Sequence, residues 1–243
     1  MNQADIHRVI EMAWEDKTSF HAIKEQYNLS ESQVKDIMKR ELKRSSYIMW
    51  RKRVIVIVIV VLLAQVYSTM STEKTEQHKY QVLTTYDNVE IRKYEPAIFT
   101  SVKMRSKTYE ESSGKGFRVL AGYIFGGNRS NESIAMTSPV TMELGETMTM
   151  KFMVPKGYDM NSLPEPNDKS ITFEKQPEKI IAAIRFDGWA NNEKIAKHIE
   201  ILRDALAKAQ IKHTNTFSYL GYNPPYEVIN RRNEVVVEVI DYP

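Results

Sequence analysis

Val54 to Val66 form a run of 13 residues, V-I-V-I-V-I-V-V-L-L-A-Q-V, apolar but for Gln65, with Arg51, Lys52 and Arg53 directly before it. No other stretch of the chain is comparably apolar, and it divides a short basic N-terminal piece from a long C-terminal one. A membrane-spanning helix needs about 20 apolar residues, with a lower limit near 17. Carrying the run through Met70 reaches that limit; the core alone matches the apolar centre of a signal peptide. A buried strand would need turn signals at its ends, and a triple-basic flank is foreign to one. The basic residues cluster between Lys39 and Arg53, and none follows the run before Lys74. The positive-inside rule therefore places the N-terminus in the cytoplasm and the C-terminal domain outside it. This predicts a single-pass inner-membrane signal-anchor at residues 49–70, contacting lipid through 54–70, with a periplasmic or extracellular C-terminal domain. The alternative is a secreted domain cleaved near Ser68, because Met49-Trp50-Arg51-Lys52-Arg53 and the run also read as an export signal.

Charge and cysteine content narrow the chemistry. Residues 1–53 carry 11 basic and 8 acidic side chains, which accounts for the whole formal charge of +3; the remainder is balanced. The large domain has no electrostatic case for nucleic acid. With no cysteine, disulfides, thiolate catalysis, thiolate ligation and covalent C-x-x-C-H heme attachment are excluded. The five histidines show no metal-ligand spacing. His198 reads as a half-buried structural residue and His213 as a solvated one. No Ser–His–Asp arrangement, phosphate-cradling glycine loop or paired carboxylates can be made out, so the chain reads as a binding protein rather than an enzyme.

In residues 1–48, Ile6, Val9, Ile10, Ala13 and Trp14 share one helical face. A second short helix fits Ser19 to Tyr27. Ser30 and Gln33 make a capping box for a third, faced by Val34, Ile37, Met38 and Leu42. This is a helix-turn-helix pattern. Residues 8–20, 28–34 and 38–54 resemble a small, uncharacterised bacterial helix-turn-helix family. DNA contact would fall to Ser32, Gln33, Lys35 and Lys39, with Arg40 on phosphate; the competing reading is a trihelical unit that contacts a protein partner or anionic lipid.

Residues 71–79 read as a polar linker. The domain from residue 80 to 243 alternates strands and helices. Strands are predicted at Tyr80–Tyr86, Val89–Tyr94, Ala97–Met104, Ile134–Thr137, Thr147–Val154, Ser170–Glu174, Ile180–Phe186, Thr216–Tyr222 and Glu234–Ile240. Helices are predicted at Tyr109–Phe125 and Asn192–Ala209. The order implies an α+β domain with helices on an antiparallel sheet.

Seven motifs in this region resemble the SOUL heme-binding protein family: V-E-I-R-K-Y at 89–94, F-R-V-L-A-G-Y-I-F-G-G-N at 117–128, I-A-M-T-S-P-V at 134–140, K-F-M-V-P at 151–155, R-F-D-G at 185–188, G-Y-N-P-P at 221–225 and R-R-N-E-V at 231–235. The resemblance implies a twisted antiparallel barrel of two pseudo-symmetric strand-helix-strand halves, preceded here by the trihelical segment and one hydrophobic helix. It also implies noncovalent heme or porphyrin binding by a carrier or scavenger. Some members place an axial histidine between the Arg and Tyr of the R-x-Y motif; Lys93 occupies that position, so binding without a histidine ligand is the expectation. The candidate site is then an apolar cleft beside the first helix of the domain, with Phe117, Leu120, Ala121 and Ile124 on the macrocycle and Arg92 or Lys93 near its propionates. Two further readings stay open: an anchored small-ligand sensor whose N-terminal segment contacts DNA or a protein, and a hydrolase-like or purely structural domain.

Overall fold

The computed structural model describes residues 1–15, 18–50, 52, 56, 59–60, 75–106, 108–228 and 230–242, in two compact units divided after Val66. The N-terminal unit contains α1 (Gln3–Trp14), α2 (Phe20–Tyr27), α3 (Glu31–Glu41) and a fourth helix, α4, described continuously over residues 44–50. Capping boxes close α1 (Asn2 with Asp5) and α3 (Ser30 with Gln33), satisfying backbone donors that a helix start leaves open. Val9, Ala13, Ile23, Val34 and Met38 meet in a small core. Trp50 completes it, donating its indole N–H to the carbonyl of Ala13 at 3.1 Å. The trihelical expectation is thus enlarged by a fourth element whose aromatic side chain supplies core that three short helices lack.

The apolar run lies almost wholly outside the described residues. Its three described members, Val56, Ile59 and Val60, are exposed. Among the described residues, no helix is long and apolar enough to cross a membrane.

Among the described residues, the C-terminal unit carries nine strands in one antiparallel sheet, in the order β2 (Tyr80–Tyr86), β3 (Val89–Tyr94), β9 (Lys179–Asp187), β11 (Arg232–Val239), β10 (His213–Gly221), β6 (Val140–Leu144), β7 (Met148–Met153), β4 (Ala97–Met104) and β8 (Ile171–Gln176). A two-residue parallel ladder joins β1 (Glu76–Gln77) to β5 (Thr137–Ser138). β6 is absent from the sequence-based expectation because Pro139 interrupts the pattern just before it, and Ile134 to Met136 are not strand. Residues 76–78, read as linker, belong to the fold through β1.

Two helices cover one face: α5 (Tyr109–Ile124) over β4 and β7, and α6 (Asn192–Lys208) over β9 and β11. Period-2 alternation sorts the strands. Ile91, Val102, Met142, Met150, Phe152, Ala182, Ile184, Tyr219, Val235 and Val237 point toward the helices and build the main core with Leu120, Ile124, Ile195, Leu202 and Leu206. The residues between them point to the opposite face, where Tyr94, Ile181, Ala183, Leu220, Tyr222 and Val236 pack together. The family motifs hold these layers. A Cβ at Gly127 would lie 2.5 Å from the carbonyl oxygen of Gly122. Asn128 donates to the carbonyls of Tyr123 and Glu132, ending α5 where F-G-G-N predicts. Asn233 accepts from Tyr219 Oη at 2.7 Å and donates to the carbonyl of Gly188 at 2.7 Å, tying β11 to the turn after R-F-D-G.

Candidate functional site

The face away from the helices encloses a cavity of about 270 Å³, lined by residues of β3, β4 and β6 to β11 together with His78. So many strands reach one space only if the sheet curls around it. The floor is apolar: Ile181, Leu220 and Val236. One wall is polar and charged: Thr141, Glu143, Lys151, Lys179, Thr216, Ser218 and Glu238. At the remaining end stand Tyr94, Phe99 and His78, with the imidazole 4.7 Å from the Tyr94 ring and 5.5 Å from the Phe99 ring.

The two lysines differ in state. Lys151 is buried and holds both Glu143, at 2.7 Å, and Glu174, at 2.5 Å. Burial works against its charge, but the two carboxylates outweigh it and raise its pKa. Among the described residues the Lys179 ammonium has no ion pair or hydrogen bond, and burial lowers its pKa, with Lys151 adding repulsion and Glu238 opposing. An amine lining a cavity without a partner is ready to receive an anionic group.

Below the aromatic end lies a charged cluster. Glu234 is fully buried and takes Arg92 in a two-pronged contact of 2.6 and 3.1 Å. It also accepts from Arg232, at 2.7 and 2.9 Å, and from the Tyr222 hydroxyl at 3.0 Å. Arg92 continues to Glu90 at 2.7 Å and lies over the Tyr80 ring. Burial by itself raises the Glu234 pKa, but the hydrogen bond and charge of Arg92, reinforced by Arg232, hold it below the usual carboxylate value. Burial, with Glu234 close by, pushes Tyr94 up to about 12. With every charged end matched, this cluster fixes β3 against β11 across β9.

The six predicted binding residues do not converge on one space. Leu120, Ala121 and Ile124 are buried residues of α5, and the gap beside Ile124 is about 10 Å³. That space holds about one water. Phe117 sits at the helix edge, its ring 5.5 Å from Phe152. Arg92 points to the opposite face of the sheet, because residues 91 and 92 alternate, and it is already paired with Glu234. Lys93 is ion-paired with Glu178 at 2.8 Å. Helical spacing picked out core here, as apolar spacing usually does. The cavity residues were legible only as strand positions of the other parity; Lys151 lies within K-F-M-V-P, and Lys179 opens β9.

In the N-terminal unit, Gln33 returns its side chain to the backbone of Ser30, Lys35 pairs with Glu31, and Arg40 pairs with Glu41 at 2.7 Å. Ser32 and Lys39 are exposed on α3.

A family model described as SOUL heme-binding protein matches residues 75–238, which hold both helices and all of the sheet but the last residue of β11. The chain belongs to the SOUL heme-binding protein family. Heme-binding protein 1 of Xenopus laevis is 29% identical over 154 residues, covering 60% of this chain and 80% of that protein. Heme-binding protein 2 of Homo sapiens is 29% identical over 155 residues, covering 60% and 75%. Among solved structures, the C-terminal domain of EcmrR covers 67% of this chain and 99% of its own with a TM-score of 0.50 at 11% identity, a likeness of fold alone. Residues 7–56 match a second model, a protein family of unknown function (DUF2805). The SOUL domain therefore begins before β2, at the point where the sequence reads as linker.

Proposed function

We propose that the SOUL domain binds heme or a related porphyrin noncovalently, as a carrier or scavenger, and that the curled face of the sheet is its site. The observation that carries this reading is the family match spanning the whole cavity-bearing domain, from β1 to β11. The cavity's chemistry suits such a ligand: an apolar floor and aromatic end for the macrocycle edge, and the unpaired Lys179 for a propionate. Ligand sites are about 300–1,000 Å³, so a cavity of 270 Å³ takes one edge of a tetrapyrrole with the rest in its mouth. The names of the Xenopus and human relatives support the ligand class. Titration of the full chain with hemin and with metal-free protoporphyrin IX tests it. Saturable Soret shifts at micromolar porphyrin are expected, and their absence with both compounds sinks the proposal.

Membrane tethering belongs to the same reading. The basic triplet at 51–53 and the exposed Val56, Ile59 and Val60 support an inner-membrane anchor that holds the SOUL domain on the periplasmic side. A second reading, a ligand sensor whose N-terminal unit touches DNA, is favoured only by the exposed Ser32 and Lys39 of α3. It requires a salt-dependent shift of duplex DNA by the full chain.

A further inference from the structure

The outermost strand of a sheet turns a row of unpaired N–H and C=O groups outward, a template on which another strand can pair. Folded chains blunt such edges with lysine, with proline, with inward-pointing charges or with bulges. The nine-stranded sheet has β8 at one edge and β2 at the other. β8 is guarded by charge: Lys175 is exposed, and Glu174 is held by Lys151. β2 has no such guard. Its seven residues, Y-Q-V-L-T-T-Y, include neither a charge nor a proline. Gln81, Val82, Leu83, Thr85 and Tyr86 are exposed. Tyrosine, valine and threonine are the residues that suit a paired strand. The inner side of β2 pairs β3 from Tyr80 to Tyr86, and its outer side has the same composition to offer a neighbour.

Charge stands only at the ends of the strand. Lys79 precedes it and Asp87 follows it, and neither has an ion pair among the described residues. An antiparallel partner meets Asp87 with its first residues and Lys79 with its last. A strand that is basic at its start, uncharged within and acidic at its end is therefore complementary, and β2 is itself such a strand. Two copies paired antiparallel about a twofold axis set each Lys79 beside the other's Asp87, with no like charges between them.

The ladder to β3 shifts between Val82 and Thr84, which leaves Leu83 as one extra residue on β2. A bulge of this kind deters a regular foreign strand. A second copy brings the same extra residue to the same place, so the two strands match residue for residue. We infer that β2 is a homodimer interface: two copies of this chain join edge to edge, antiparallel about a twofold axis near Leu83, and continue one sheet across both domains. Porphyrin is not needed for this contact.

Sedimentation equilibrium of the full chain in nonionic detergent tests it, alongside Leu83→Lys, Leu83→Cys and Lys175→Cys. Wild type is expected at the mass of a dimer that dissociates on dilution. Leu83→Lys sets two ammoniums against each other near the axis. It is expected to raise the dimer dissociation constant about tenfold or more, with an unchanged circular dichroism spectrum. Because the chain has no cysteine, each introduced thiol is alone. Mild oxidation is expected to link Leu83→Cys into covalent dimers and to leave Lys175→Cys, on the opposite edge, monomeric on a denaturing gel. Should Leu83→Lys not fold, the crosslink decides alone. A wild type that stays monomeric at its highest soluble concentration overturns the inference, whatever peptide or lipid surface the edge then binds. So does a dimer that folded Leu83→Lys leaves intact, or one in which Leu83→Cys crosslinks no better than Lys175→Cys, because the contact then lies elsewhere on the chain.

Discussion

Glu234 shows how a residue's chemistry depends on what the fold brings to it. In the sequence it only opens the predicted strand Glu234–Ile240, yet it lies at the centre of a buried cluster with Arg92, Arg232 and Tyr222. Replacing Glu234 with Gln leaves two guanidiniums in low dielectric without their counter-charge, a loss of about 3–5 kcal/mol that urea unfolding would register. The pH dependence follows from the same depressed carboxylate. A group whose folded pKa lies below its unfolded one binds more protons when unfolded, so stability rises with pH across that window. The Glu234 contribution is therefore fully present above the ordinary value of 4.5 and lost as pH falls through the lower folded value. Denaturation midpoints should hold from neutral pH down to about 5 and drop below it in wild type, with a shallower drop in Glu234→Gln. Lys179 has the reverse character: a desolvated amine that Glu238, Glu143 and Glu174 offset only in part. Lys179→Met should leave the melting temperature unchanged or raised, and should weaken a porphyrin carrying free propionates about tenfold, the worth of one charge-assisted hydrogen bond. A porphyrin dimethyl ester should bind both forms alike; equal weakening of the two would remove Lys179 as the carboxylate partner.

Elements were the most legible level of this chain. β2, β3 and β4 have the bounds predicted from alternation and the Asp87-Asn88 turn, and α5 and α6 end one residue inside theirs, at Phe125 and Ala209 as caps. Local signals decide such elements: period, caps and turn residues. What local signals do not carry is the way one element closes another. Asn192, in the first turn of α6, accepts from the backbone N–H groups of Tyr109 (3.0 Å) and Glu110 (3.4 Å) and donates to Glu110 Oε2 (2.9 Å). It thereby caps the start of α5, 82 residues away, alongside that helix's own cap, Thr108. Asn192→Ala should cost about 1 kcal/mol, in the range of a lost N-cap, although its own helix already has Asn191 as cap. A stability unchanged within a few tenths of a kcal/mol in thermal melts would show that Thr108 alone suffices.

At the scale of the whole molecule, two units with separate sequence resemblances divide at the end of the apolar run. Tethering through that run predicts that the intact chain resists carbonate extraction from membranes; recovery only of soluble chains beginning near Thr69 would replace the anchor with a cleaved signal. The cavity belongs to this scale as well. Its lining comes from β3, β4 and six later strands, and its aromatic end includes His78, which in the sequence stands inside a polar stretch with no periodicity. The sequence by itself determined the α+β class, most strand and helix bounds and the SOUL motifs, because alternation, caps and turns are written in neighbouring residues. Which face of the sheet is open was decided only by tertiary structure. Helix burial consumes Leu120, Ala121 and Ile124, and sheet curvature gathers Lys151, Lys179 and His78 from distant positions. Both depend on contacts between elements, which spacing along a single chain does not encode.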